Sequence, residues 1–271
     1  MTPYLSYWSA GYRGKPSDYL IDLHKVSAFL CKKHYGEVHL ITDAHGAEEL
    51  SKIKEFDSIE VLDKLTDIPI EYGKTWSLGK LVTYQHLAEK GKPFIHVDYD
   101  VFLFKRLPED LENSACFAQN IEWGAYSFYG VHKFKAAVKE QNIYAKNCFA
   151  DYAYNMGIFG GNDLDFLKEY AKSSVEMVLK EQDKPFWTRE FKPEVDQMWE
   201  NATTAEQWYL ACCAMFFNKK IHCLFDRVDQ YNCPLEEDAK KLSYTHLWGL
   251  KNATSVKRSV ANFIVNNGLN Y

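Results

Sequence analysis

Along the first third of the chain, apolar positions switch between a short-run rhythm and a helical one. Tyr4-Leu5-Ser6-Tyr7-Trp8 reads as a strand. Ser17 and Asp18 are helix-start residues, and Tyr19, Leu23, Val26 and Leu30 come next on one face, predicting a helix that ends near Gly36. Val38 to Thr42 predicts a second strand and residues 46–55 a second helix. Strand, helix, strand and helix in alternation predict an α/β fold, with a largely parallel sheet covered by helices.

The rhythm continues downstream. A helix is expected over Leu78 to Lys90, closed by Gly91, then a short apolar strand over Pro93 to Val97 and another apolar run over Val101 to Phe104. Residues 155–159 read as extended and lead into Gly160 and Gly161. Asp163 to Gln182 reads as a long helix, residues 204–217 as a buried helix, Ile221 to Leu224 as a short strand and Ala253 to Val265 as a closing helix. Residues 183–203 carry two prolines and mixed charge and read as a surface loop, of a length that often serves as a lid.

At 271 residues the chain suits one large domain with a substantial core. A net charge of −5 gives no bulk attraction to nucleic acid, so an anionic ligand would need a local positive site such as a metal ion. The seven cysteines (Cys31, Cys116, Cys148, Cys212, Cys213, Cys223 and Cys233) are odd in number and form no CxxC, which predicts reduced thiols in a cytoplasmic protein. The N-terminus lacks the pattern of a secretory signal. The longest apolar stretch, Trp208 to Phe217, is about half of what crosses a bilayer, so no transmembrane segment is expected. The Asn-x-Thr sequons at Asn201 and Asn252 read as accidental in such a chain. Aromatic residues make up 15%, which serves either a ring-rich core or stacking platforms for a ligand.

The strongest chemical signal is Asp98-Tyr99-Asp100, placed directly after a buried strand. In open α/β sheets ligands bind beyond the carboxyl ends of strands, and two carboxylates there can converge on one hard cation, Mg²⁺ or Mn²⁺. The alternative is a solvated turn. A second triplet, Asp163-Leu164-Asp165, precedes a helix and reads as N-capping. Asn155 stands with Gly157, Gly160 and Gly161 around a strand, suited to close backbone approach to a ligand or simply to a bulge and turn. Glu206 and Gln207 open an apolar helix and by themselves read as helix-start chemistry, with Thr203 or Thr204 as cap. His246, Gly249 and Lys251 offer an imidazole, a flexible backbone and a cation, although a lone histidine is usually structural.

Taken together, the order of these segments resembles the metal-dependent glycosyltransferases of the GT-A fold, and within them glycosyltransferase family 8. The resemblance rests on Asp98 and Asp100, Lys80 on the preceding helix, Asn155 with Gly157, the Glu206-Gln207 pair, and His246 with Gly249 and Lys251. The chain departs from the pattern where Trp208 succeeds the pair, where Lys251 comes one residue early without Pro-Trp, and where Ser6 to Ala10 lack an Asp.

The resemblance implies a GT-A-like fold with a nucleotide-binding half over residues 1–110 and a sugar- and acceptor-binding half over 111–271. It implies a UDP-linked or similar nucleotide-sugar donor and a carbohydrate or glycoconjugate acceptor; residues 120–150, rich in Tyr, Phe and Lys, are the candidate acceptor side. Asp98, Asp100 and His246 would hold Mn²⁺ or Mg²⁺. Lys251, assisted by Lys80, would stabilise the departing diphosphate, and Tyr99, Gly157, Gly161 and Gly249 would line the substrate. Asn155, Glu206 and Gln207 would face the sugar. In a retaining reaction Gln207 lies near the anomeric carbon; in an inverting one Glu206, Asp43 or Asp151 would be the base. Peripheral membrane association is implied by the same resemblance. Competing readings are a phosphatase with Asp98 as nucleophile, a sugar nucleotidyltransferase using Gly11-Tyr12-Arg13-Gly14 as a phosphate loop, and a catalytically silent GT-A-like binding domain.

Overall fold

The computed structural model describes residues 1–12, 14–190, 200–225, 243–247 and 249–269. The strands are β1 (Thr2–Tyr7), β2 (His39–Thr42), β3 (Ser58–Val61), β4 (Phe94–Val97), β5 (Val101–Leu103), β6 (Phe117–Trp123), β7 (Tyr152–Gly161), β8 (His222–Cys223) and β9 (Tyr244–His246). The principal helices are α1 (Asp18–Tyr35), α2 (Ala44–Leu50), α3 (Leu78–Glu89), α4 (Leu164–Val178), α5 (Tyr209–Phe216) and α6 (Thr254–Asn266). Seven strands form one mixed, mostly parallel sheet in the order β3-β2-β1-β4-β7-β6-β8, and β5 pairs with β9 in a separate ribbon. The architecture is α/β and Rossmann-like, with helices on both faces.

Local chemistry sets the boundaries. Ser17 caps α1 by accepting from Leu20 N at 3.2 Å. Gly36 ends the helix in the left-handed region at φ 86°, where its N–H reaches Lys32 O. On the predicted face Leu23, Val26 and Leu30 are buried. The pleat of the central strand then sorts its side chains: Phe94 packs with the α3 and α4 layer, while Ile95 and Val97 pack with α1.

Several boundaries differ from expectation. Helix α2 stops at Leu50, and Ser58–Val61 forms an unpredicted edge strand. Its alternation, Ser-Ile-Glu-Val, is too brief to announce a strand on its own. Helix α4 ends at Val178 rather than Gln182. The expected loop over 183–203 contains helical turns at Lys184–Trp187 and Glu200–Thr203, and Trp187 is fully buried, so these parts are core rather than a solvated loop. Residues 191–199 of that segment, with Arg13, Cys233 and Trp248, lie outside the described residues. The other six cysteines are free thiols. Asn201 is buried and donates to Phe186 O at 2.8 Å, which withdraws that sequon from modification in the folded chain. Among the described residues no helix is long and apolar enough to cross a membrane.

Candidate functional site

The chain reverses between β4 and β5 just beyond the carboxyl edge of the central strand. Asp98 N donates to Gly157 O on β7 at 2.9 Å, and Val101 N donates back to Asp98 O at 3.0 Å. Alternation along this turn sends Asp98 towards α3 and stacks Tyr99 on His24 of α1, with ring centroids 4.9 Å apart. Antiparallel pairing of β5 with β9 sets Val101 opposite His246, and Leu247 N donates to Asp100 O at 2.9 Å. Register alone therefore brings a residue near the C-terminus to the Asp98–Asp100 turn. One potential ligand atom from each of Asp98, Asp100 and His246 lies within 4.8 Å of the others.

Two lysines flank this cluster. Lys80 Nζ lies 2.9 Å from Asp98 Oδ1, 2.6 Å from Glu206 Oε1 and 3.4 Å from Met156 O, so its three N–H donors are committed inside the protein. Lys251 Nζ lies 2.7 Å from Asp100 Oδ2 and donates to Tyr99 OH at 3.0 Å. Gly249, at φ 69°, makes the turn that returns Lys251 to the site, with Leu250 N and Lys251 N both donating to Leu247 O. Three carboxylates thus face two ammonium groups, leaving one negative charge that a divalent cation would reverse.

Burial and pairing drive the carboxyls apart. Burial raises Asp98 despite Lys80, and raises Glu206 against the same lysine. For Asp100, burial is outweighed by Lys251 and His246, which hold it well below the usual carboxylate range. Burial and then Lys80 press the His96 imidazole far down. Neighbouring carboxyls are thus driven in opposite directions by their surroundings.

Glu206 occupies a π-helical turn, Thr204–Trp208, inside a stretch that is already helical at Glu200. The expected helix start at this point is therefore displaced upstream; the π-turn instead aims a fully buried carboxylate at Lys80. Tyr84 OH donates to Glu206 Oε1 at 3.0 Å. Glu206 Oε2 and Gln207 Oε1 are buried without hydrogen-bond partners among the described residues. Asn155 joins the site from β7: its Nδ2 donates to Glu122 Oε1 at 2.9 Å and its Oδ1 accepts from Gly157 N at 3.0 Å. A Cβ on Gly157 would strike Gln119 Oε1 and approach His246 Nδ1 to 2.7 Å, so only glycine fits there.

Asp98, Tyr99, Asp100, Lys80, Asn155, Gly157, Glu206, His246, Gly249 and Lys251 are thus brought to one region, with Gln207 adjoining through the π-turn. Gly161 is not: it pairs with Phe94 at the opposite end of β4, where a Cβ would meet Ala115 O. Its requirement is packing, because the strand runs on through both glycines instead of turning at them. Asp43 is fully engaged as the cap of α2, accepting from Ser9 Oγ at 2.6 Å and Gly46 N at 2.7 Å, and Asp151 caps a turn by accepting from Tyr126 N. Asp43 is thereby bound into local structure, and the exposed Asp151 holds its turn through one oxygen. In the candidate phosphate loop, Gly14 N donates to Ser9 O at 2.9 Å.

Sequence reasoning missed Gln119, Glu122, Tyr84, His96 and Tyr244. Gln119 and Asn120 are fully buried within β6, and His96 within β4. Their signal was a polar side chain interrupting an apolar run, which demands a specific partner. Burial raises the Glu122 carboxyl, against Asn155 and His246.

A family described as a family of unknown function (DUF6734) matches residues 9–268, and the chain belongs to that family. No curated protein matches the chain.

Proposed function

We propose that this protein is a metal-dependent glycosyltransferase that moves a hexose-type sugar from a nucleotide-sugar donor of the UDP-linked class to a carbohydrate or glycoconjugate acceptor. The observation that carries the reading is the convergence of Asp98, Asp100 and His246 at the carboxyl edge of the central strand, with Lys251 beside them. Two carboxylate oxygens and one imidazole nitrogen suit Mn²⁺, and Mg²⁺ less well. Bound there, the metal supplies Lewis-acid neutralisation of a leaving diphosphate.

The chain's own residues divide the remaining work. Among the described residues Lys251 gives two of its three N–H donors to Tyr99 and Asp100, and the third serves a phosphate oxygen. Lys80 holds Asp98 and Glu206 in place rather than binding the ligand directly. Glu206 Oε2 and Gln207 Oε1, without hydrogen-bond partners among the described residues, call for O–H donors, which a sugar presents. Gln207 faces the anomeric carbon in a retaining reaction, and NMR of the product anomer checks that outcome.

The test is thermal unfolding against UDP-, GDP-, CMP- and dTDP-linked sugars, with and without Mn²⁺, for wild type and Asp100→Asn, together with donor hydrolysis. A Mn²⁺-dependent shift with one nucleotide class, lost in Asp100→Asn and accompanied by slow hydrolysis, is expected. A shift without hydrolysis or transfer favours the silent binding domain, and no shift with any donor overturns the reading.

A further inference from the structure

A metal-binding histidine must present an unprotonated ring nitrogen, and which nitrogen that is depends on the hydrogen bond made by the other. Here that choice is traceable to a group that cannot turn. Ile121 C=O is backbone and only accepts. Asn120 Nδ2 donates to it at 3.0 Å, so Asn120 Oδ1 must face away. Gln119 Nε2 donates to that Oδ1 at 3.1 Å, so Gln119 Oε1 in turn faces β9. There it accepts from Tyr244 OH and lies 2.9 Å from His246 Nδ1.

An amide oxygen can only accept, so the proton sits on His246 Nδ1. In the neutral ring that metal binding requires, Nε2 then carries the lone pair, 3.6 Å from Asp100 Oδ1. A lone pair facing a carboxylate at that distance is a poor arrangement alone and a good one around a cation. Reversing either amide would set like dipoles together, and both side chains are fully buried, so water cannot relieve the conflict.

The strands are built for this contact. Between Ala118 and Asn120 the pairing of β6 with β7 jumps from Phe159 to Asn155. Such an irregularity re-aims a side chain out of the regular alternation. The missing side chain at Gly157 leaves the space that Gln119 Oε1 and the His246 ring occupy.

We propose that Gln119, oriented by Asn120 and the Ile121 carbonyl, is a positioning residue that fixes His246 as an Nε2 ligand and thereby sets the preference of the site for Mn²⁺ over Mg²⁺. The inference rests on the metal reading above. Without Gln119 the imidazole can rotate or shift its proton to Nε2, leaving two carboxylates, a set that Mg²⁺ accepts as readily.

The experiment is a Mn²⁺ titration of the full chain by electron paramagnetic resonance, with Mg²⁺ competition. The variants are Gln119→Met, Gln119→Glu, His246→Ala and the double variant Gln119→Met with His246→Ala. Gln119→Met is expected to weaken Mn²⁺ binding by about 10–100-fold, as loss of a partner to a ligating histidine generally does, and to erase the Mn²⁺ preference. Gln119→Glu keeps the acceptor and is expected to stay within about tenfold of wild type. In the His246→Ala background Gln119→Met should add nothing, whereas a merely structural loss would add to both backgrounds. Should Gln119→Met fail to fold, Gln119→Asn withdraws the acceptor by one methylene and carries the same expectation. Wild-type Mn²⁺ binding with Gln119→Met unchanged, or equal losses in both backgrounds, overturns this inference alone. A folded wild type that binds no Mn²⁺ overturns the metal reading and this inference with it.

Discussion

Asp98-Tyr99-Asp100 and Asp163-Leu164-Asp165 are the same kind of triplet in one chain, and in each the first Asp pairs with a lysine. Lys219 lies 2.6 Å from Asp163 and Lys80 lies 2.9 Å from Asp98. By distance the Asp163 pair would rank higher. By environment the order reverses: the Lys219 side chain is 39% exposed, while Lys80 is 11% exposed and shares its charge with the wholly buried Glu206. Asp163 caps α4 by accepting from Phe166 N at 3.2 Å. Asp98 caps no helix and instead meets a second carboxylate and an imidazole. A carboxylate pair thus takes its chemistry from its neighbours in space. At a helix start the backbone N–H groups satisfy it; beyond a buried strand it needs cations.

Four measurements put this contrast at risk. The largest effect is expected from Lys80→Met, which strips Asp98 and Glu206 of their shared cation; unfolding in urea should show a loss of about 3–5 kcal/mol, against about 0–1 kcal/mol for Lys219→Met. Equal losses would erase the distinction.

The second concerns acid. Burial lowers the His24 imidazole to about 4, so the unfolded chain takes up that proton first. The folded state is therefore penalised as pH falls, and stability is lost between about pH 6.5 and 4, by roughly 3 kcal/mol. His24→Gln should flatten urea-derived stability across that window.

Third, Mn²⁺ at about one hundred times its dissociation constant should stabilise the wild type by roughly 2.7 kcal/mol. Chelation, Asp98→Asn or Asp100→Asn should abolish the thermal shift, and Asp163→Asn or Asp165→Asn should keep it. The smallest effect is Asp163→Ala, where loss of a cap costs about 1 kcal/mol in the same assay and donor binding is untouched.

Much of the fold was legible because it is written locally. The Ser17 cap, the spacing of Leu23, Val26 and Leu30, and Gly36 at the end of α1 are each a short-range demand of the backbone or of one helix face. The edge strand Ser58–Val61 and the buried Trp187 were not legible, since each depends on which neighbour covers it. At the site, Asp98 and Asp100 stood out from their place after an apolar strand. Gln119 did not: nothing in its own neighbourhood says that His246 will arrive beside it.

Residue order alone was enough for the α/β alternation, the carboxylate pair at a strand end and the capping role of the second triplet, because each is set by interactions within a few residues. Folding in three dimensions was needed for Lys80, Glu206, His246 and Lys251 to meet at Asp98 and Asp100, for Gly161 to lie at the far end of the sheet, and for a backbone carbonyl at Ile121 to order the imidazole. The arrival of His246 and Lys251 hangs on the register of β5 on β9, the place of Gly161 on that of β4 on β7, and the aim of Gln119 on the irregular pairing of β6 on β7, and register is set by how whole faces bury against one another.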